Sequence, residues 1–109
     1  MKNLLMIGLI VAAFAANAET VSVKYRGAVD LATFDCKSIQ RSSFINRLCY
    51  DERERYVIVA LNGTYYHYCE VPEVTISAWM GASSMGRFYN SYIKGRHHCR
   101  VNYMPAYSN

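Results

Sequence analysis

The sequence is short of the features that would name a reaction. None of its four cysteines stands in a C-x-x-C pair, which removes the usual zinc and dithiol spacings. No Ser, His and Asp argue together for a triad, and the eight acidic residues form no motif. No apolar run reaches the ~20 residues that a spanning helix needs. There is no internal repeat and no low-complexity tract. Charged residues are only 18% of the chain and hydrophobic ones 52%, a mix that excludes disorder, which needs low hydrophobicity and high net charge. At 109 residues there is room for one domain.

Charge is also missing from the start. Lys2 is the only charged residue before Glu19, and an apolar run from Leu4 to Ala16 leads into Ala16-Asn17-Ala18. Positive start, apolar stretch and small-residue exit are the parts of a secretory signal peptide. Residues 1–18 are therefore expected to be cleaved. No Cys stands at the junction, which argues against a lipoprotein. The mature chain would be Glu19–Asn109, periplasmic or secreted, with no membrane span. Losing Lys2 leaves 11 basic against 8 acidic residues, a net of +3. Cys36, Cys49, Cys69 and Cys99 all remain, and export places them where disulfides persist. Two bridges are expected, useful in so small a domain.

The coarse reading is α+β. Thr20–Tyr25 alternates like a short strand, and Gly27–Gln40 reads as a loop or strap. Phe44–Tyr50, Tyr56–Leu61 and Thr64–Cys69 read as strands, separated by the charged break Asp51–Arg55 and by Asn62-Gly63, a strong type I′ hairpin signal. A helix is expected from Pro72, stopping near Gly81. A second follows Ser83-Ser84, with Met85, Phe88, Tyr89, Tyr92 and Ile93 as one apolar stripe and Gly95 as its end. The expected fold is a small three-stranded antiparallel meander followed by two helices packed on one face, with an N-terminal extension. Four Cys allow three connectivities. In a meander of that order the strands of Cys49 and Cys69 lie about 10 Å apart, too far for a bridge. That favours, without fixing, Cys36–Cys49 with Cys69–Cys99.

Several residues together resemble the KTSC domain family. They are Ser43-Phe44-Ile45, Leu48-Cys49-Tyr50-Asp51, Gly63, Tyr66-His67-Tyr68, Val71-Pro72-Glu73, and the run Ser84-Met85-Gly86-Arg87-Phe88-Tyr89-Asn90 with Ile93. The signal pattern and the resemblance together divide the chain into a signal peptide (1–18), an extension (19–41), a KTSC-like domain (42–100) and a tail (101–109). The resemblance implies no activity; RNA binding is suggested for the family through its fusion to lysyl-tRNA synthetases. The chain departs from the family in its export signal, its extension and its cysteines, and so looks like a secreted, disulfide-containing branch. Export weakens the RNA suggestion.

The candidate site residues divide by strand alternation. Tyr66 and Tyr68 face the helices, while Tyr65 and His67 share the opposite, more available face. No acidic side chain follows Glu73, leaving Arg87, Lys94 and Arg96 as a basic stretch fit for an anionic partner. Arg87 and Lys94, seven apart on a helix, are expected to share a face. Asn90 is read as a buried amide, Gly86 as a point of close backbone approach, and Asp51, Glu52 and Glu54 as a solvated loop. No catalytic residue, metal or cofactor is indicated. The expected function is a non-catalytic binding module whose partner is a protein or an anionic polymer. Nucleic-acid binding and inhibition of an envelope enzyme are the alternatives. Expressed in a bacterium, the chain should be recovered from the periplasm with Glu19 as its first residue; mass spectrometry finding Lys2 retained would refute the export reading.

Overall fold

The computed structural model describes residues 19–100 and 104–107; the expected signal peptide lies outside the described residues. The strands are β1 (Thr20–Val23), β2 (Gly27–Asp30), β3 (Asp35–Ser38), β4 (Ile45–Asp51), β5 (Tyr56–Leu61) and β6 (Thr64–Tyr68). Two short helices follow, α1 (Glu73–Met80) and α2 (Met85–Phe88), and α2 runs into a π-helical turn, Tyr89–Ile93. The strands form one sheet in the order β2-β1-β6-β5-β4-β3. All neighbours are antiparallel except β1 and β6, which meet in parallel at Val23 and Tyr65.

This overturns the expected three-stranded meander with two helices. The molecule is a six-stranded mixed sheet, curled into a half-barrel, and its helical part is slight. The stretch read as a strap, Gly27–Gln40, holds two of the strands. β1 turns back on β2 through Tyr25 and Gly27, both at positive φ (71° and 107°), and β3 adds to the far side of β4. Each new strand is four residues long and poor in aromatic residues. Strands so short gain their stability from pairing rather than from their own composition.

The sheet is buried on both sides. In β5, Val57 and Val59 point to the helix face with Leu48 and Tyr50 of β4, where Ile76, Trp79, Met85, Tyr89 and Ile93 cover them. Tyr56 and Ile58 point the other way, into a second core with Cys49, Cys69, Val21, Val23, Val29 and Leu31. On the first side Trp79 donates its indole N–H to Met85 O at 3.1 Å, and Tyr50 donates its hydroxyl to Val71 O at 2.6 Å. Gly86 sits close to the start of β4: a Cβ there would stand 2.6 Å from Phe44 Cε1.

The second side has no helix. It is closed by the β1–β2 hairpin, Phe34, and the tail residues Met104 and Tyr107. Arg26 fixes the tail: it donates to Pro105 O and to the Tyr56 hydroxyl, and its guanidinium lies over the rings of Tyr56 and Tyr107. Asp51 was expected in a solvated loop. It is 4% exposed and accepts hydrogen bonds from the hydroxyls of Thr33 and Tyr107, both at 2.8 Å. A buried carboxylate needs such partners, and they come from segments distant in sequence. The bridges are Cys36–Cys49, between directly opposed residues of β3 and β4, and Cys69–Cys99.

Two stability outcomes follow. Trp79→Ala should cost about 3–5 kcal/mol, the usual range for emptying an aromatic core position, seen as a lowered urea midpoint. Replacing both Cys69 and Cys99 by Ala should cost roughly 3–4 kcal/mol, slightly more than losing Cys36 and Cys49, because the loop it opens is longer. The reverse ranking in paired unfolding curves would show that extension packing, not loop closure, dominates.

Candidate functional site

A groove of about 820 Å³ opens where β6 meets the π turn. Tyr66, His67 and Tyr68 supply one wall, and Tyr89, Asn90 and Lys94 the other. Lys24 from the end of β1 and His98 complete the rim. No acidic side chain lines it. Six of the eight acids, Asp30, Asp35, Asp51, Glu52, Glu54 and Glu73, instead line two hollows around the β4–β5 turn. The acids are therefore kept away from the groove, whose charged side chains are the two lysines.

The walls follow from local rules. Asn62 and Gly63, at φ 51° and 85°, make the tight turn that sets Tyr66 opposite Val59 and Tyr68 opposite Val57. Tyr68 and Tyr89 pack edge to face and share a hydroxyl–hydroxyl hydrogen bond. Burial, then that bond, pushes the Tyr68 hydroxyl well above the usual tyrosine range. Both tyrosines are thus committed to one another.

The π turn decides which side chains reach the groove. Lys94 N–H donates to Tyr89 O at 2.9 Å, spanning five residues instead of four. The extra residue breaks the expected stripe: Met85, Tyr89 and Ile93 are buried, but Tyr92 is 56% exposed. It also separates Arg87 from Lys94. Arg87 lines a different hollow with Ser84 and Tyr92, while Lys94 lines the groove. Arg96 is turned back to donate to Ser91 O at 2.8 Å. Asn90, read from sequence as buried, is exposed on the groove wall. π turns recur at functional sites, and their displacement cannot be read from a pattern that assumes 3.6 residues per turn.

Tyr65 and His67 lie half-buried on the side of the second core. Arg47, itself paired to Glu19, donates to the Tyr65 hydroxyl at 3.2 Å. His67 Nδ1 is 2.8 Å from the Tyr56 hydroxyl, whose oxygen already accepts from Arg26. The direction of this hydrogen bond follows the imidazole tautomer. Burial, reinforced by the Arg26 charge, holds the imidazole below its usual pKa. Sequence reasoning missed Lys24, Arg26 and Tyr56 in this arrangement; the parallel contact of β1 with β6 brings in Lys24 and Arg26, which nothing local marks, while Tyr56 lies on the antiparallel neighbour β5.

A family model for the KTSC domain matches residues 41–97. A crystal structure of a KTSC domain protein from Yersinia pestis is similar at 32% identity, covering 62% of this chain and 94% of that one, with a TM-score of 0.56. A search of curated proteins finds no match. The matched stretch contains Tyr66, Tyr68, Tyr89, Asn90 and Lys94; β1–β3, Cys36, Cys99 and the tail lie outside it.

A histidine whose folded pKa is depressed contributes stability that is complete above its unfolded value of about 6.5 and is lost as pH falls through the folded value. The urea midpoint should therefore drop between pH 7.5 and pH 5. His67→Gln, which cannot take up the proton, should flatten that slope; an unchanged slope would show that other groups cause it.

Proposed function

The chain belongs to the KTSC domain family, and we propose that it is an exported, non-catalytic binding module whose groove receives an anionic partner. The observation that carries this reading is the composition of the groove. It collects Lys24, Lys94 and His98 around four tyrosines and excludes every acid. Segregated charge of this kind raises the encounter rate with a ligand of opposite sign. The two disulfides accord with an oxidising compartment, as the N-terminal signal pattern does.

A binding role suits the chemistry better than a catalytic one. Cys99 lines the groove, but its sulfur is bonded to Cys69 and is no nucleophile. Among the described residues no group of three or more His, Cys, Asp or Glu is placed to hold a metal. A second reading, single-stranded nucleic acid, draws on the pairing of tyrosines with cations, which is the usual composition of such sites.

Two probes test the shared premise: a short single-stranded RNA and an oligoglutamate of similar charge. Replacing both Lys24 and Lys94 by Ala should weaken binding of either about tenfold at ~50 mM salt and reduce its salt dependence, while Arg87→Ala, outside the groove, has little effect. Equal affinity for the double variant, or a larger effect at Arg87, would remove the groove as the site.

A further inference from the structure

The floor of the groove is an unfinished sheet edge. The two-residue hairpin pairs Leu61 with Thr64, and antiparallel alternation then directs the main-chain groups of Thr64, Tyr66 and Tyr68 toward β5. Those of Tyr65, His67 and Cys69 point outward. Tyr65 O accepts from Lys24 N–H at 2.8 Å, and Cys69 N–H donates to His97 O at 2.9 Å. Between them, the N–H and C=O of His67 have no hydrogen-bond partner among the described residues. β1 cannot supply one. It meets β6 only at Val23 and Tyr65, and the chain then turns away through Tyr25.

Half-buried main-chain groups are costly to leave unpaired. Here they form an outward donor–acceptor pair on one residue, the pattern that an added β-strand satisfies. The polar groups nearest in the groove are also uncommitted. The Asn90 amide and the Tyr66 hydroxyl carry no hydrogen bond among the described residues, though both line the groove, one on each wall. By contrast the hydroxyls of Tyr65, Tyr68 and Tyr89 are all engaged. What the groove offers is therefore one strand-pairing position, an amide, a hydroxyl and a set of cations.

We propose that the groove binds an extended acidic peptide segment of a partner protein, which adds to the edge of β6 through the main chain of His67 and sets carboxylates against Lys24 and Lys94. The proposal rests on the groove being the binding site for an anion and adds the class of partner. Peptide is favoured over nucleic acid by two features. Tyr68 and Tyr89 are locked edge to face on each other, so their rings are held by packing instead of offered as a stacking platform. The vacant groups are a main-chain donor and acceptor at strand spacing, which a peptide matches and a phosphodiester backbone, lacking a donor, does not.

The test uses the full disulfide-bonded protein and an acetylated, amidated pentapeptide alternating Glu and Val. A Lys–Val counterpart is the charge control. Ester analogues, with each central amide N–H in turn replaced by oxygen, probe main-chain pairing. Titration followed by amide NMR should show binding of the acidic peptide only, with exchange of the His67 amide slowed at least tenfold. One ester position should weaken binding about three- to tenfold, the loss of a single hydrogen bond. Binding with the His67 amide unprotected, with every ester equal to the amide, or with the Lys–Val peptide equal to the acidic one would overturn the proposal. Binding of the single-stranded RNA but not the peptide would overturn it too, yet leave the anionic groove standing. Failure of both probes would remove the groove reading as well. Self-association of the protein that alone protects His67 would assign the edge to a second copy and overturn the peptide proposal.

Discussion

Everything in this molecule answers to the burial of β5. Tyr56 to Ala60 are all buried, with Val57, Ile58 and Val59 fully so. A strand of this kind cannot lie with one face in water; each fully buried branched side chain contributes roughly 1.5–3 kcal/mol only if something covers it. Two covers are therefore required, and a chain this short has helices enough for one. α1, α2 and the π turn close the side of Val57 and Val59. The other side is closed by the β1–β2 hairpin, the tail and four half-cystines.

The family match spans the strands β4 to β6 and the helical segment, and the second cover lies almost entirely outside it. Each disulfide joins one cysteine of the matched stretch, Cys49 or Cys69, to one beyond it or at its margin, Cys36 or Cys99. The bridges are thus staples between the family-matched core and segments outside the match. They fill apolar volume on the face without a helix and hold the short segments that could not stay there by composition alone. That accounts for β2 and β3 as well, whose four residues each would be marginal as free strands.

Much of this was legible, and the failures have physical causes. β4, β5 and β6 announce themselves through aromatic and branched residues and through Asn62-Gly63; Gly81 and Gly95 mark where helical structure stops. The continuous apolar run Tyr56–Leu61 also carried the missing clue, since a strand with no polar alternate face is a strand covered on both sides. The three-stranded reading left one side open and so could not satisfy it. The parallel contact of β1 with β6 was beyond reach, because it depends on a pairing between residues more than forty positions apart with no local signature. The same holds for Asp51, whose burial depends on Thr33 and Tyr107. At the site, Tyr66, Tyr68, Tyr89 and Lys94 were named from sequence and are brought together, but Arg87 and Arg96 are not. The π turn explains the difference: its extra residue takes Tyr92 and Lys94 out of the register a regular helix would keep, while Ile93 stays buried.

His67 is where the two covers meet. Its ring belongs to the second core, held by Tyr56, which Arg26 in turn holds from the turn between β1 and β2. Its main chain opens on the groove beside the first. The added segments therefore do more than close a hydrophobic face. Lys24 enters the groove because β1 pairs with β6, and the vacancy at His67 exists because β1 departs one residue later. A KTSC core without the hairpin would expose the whole outer edge of β6, a surface prone to indiscriminate pairing. With the hairpin on one flank and His97 on the other, the edge is narrowed to a single position beside a lysine. The extension thus converts a general liability of sheet edges into a restricted opening, and the disulfide at Cys69 and Cys99 keeps the far flank of that opening in place.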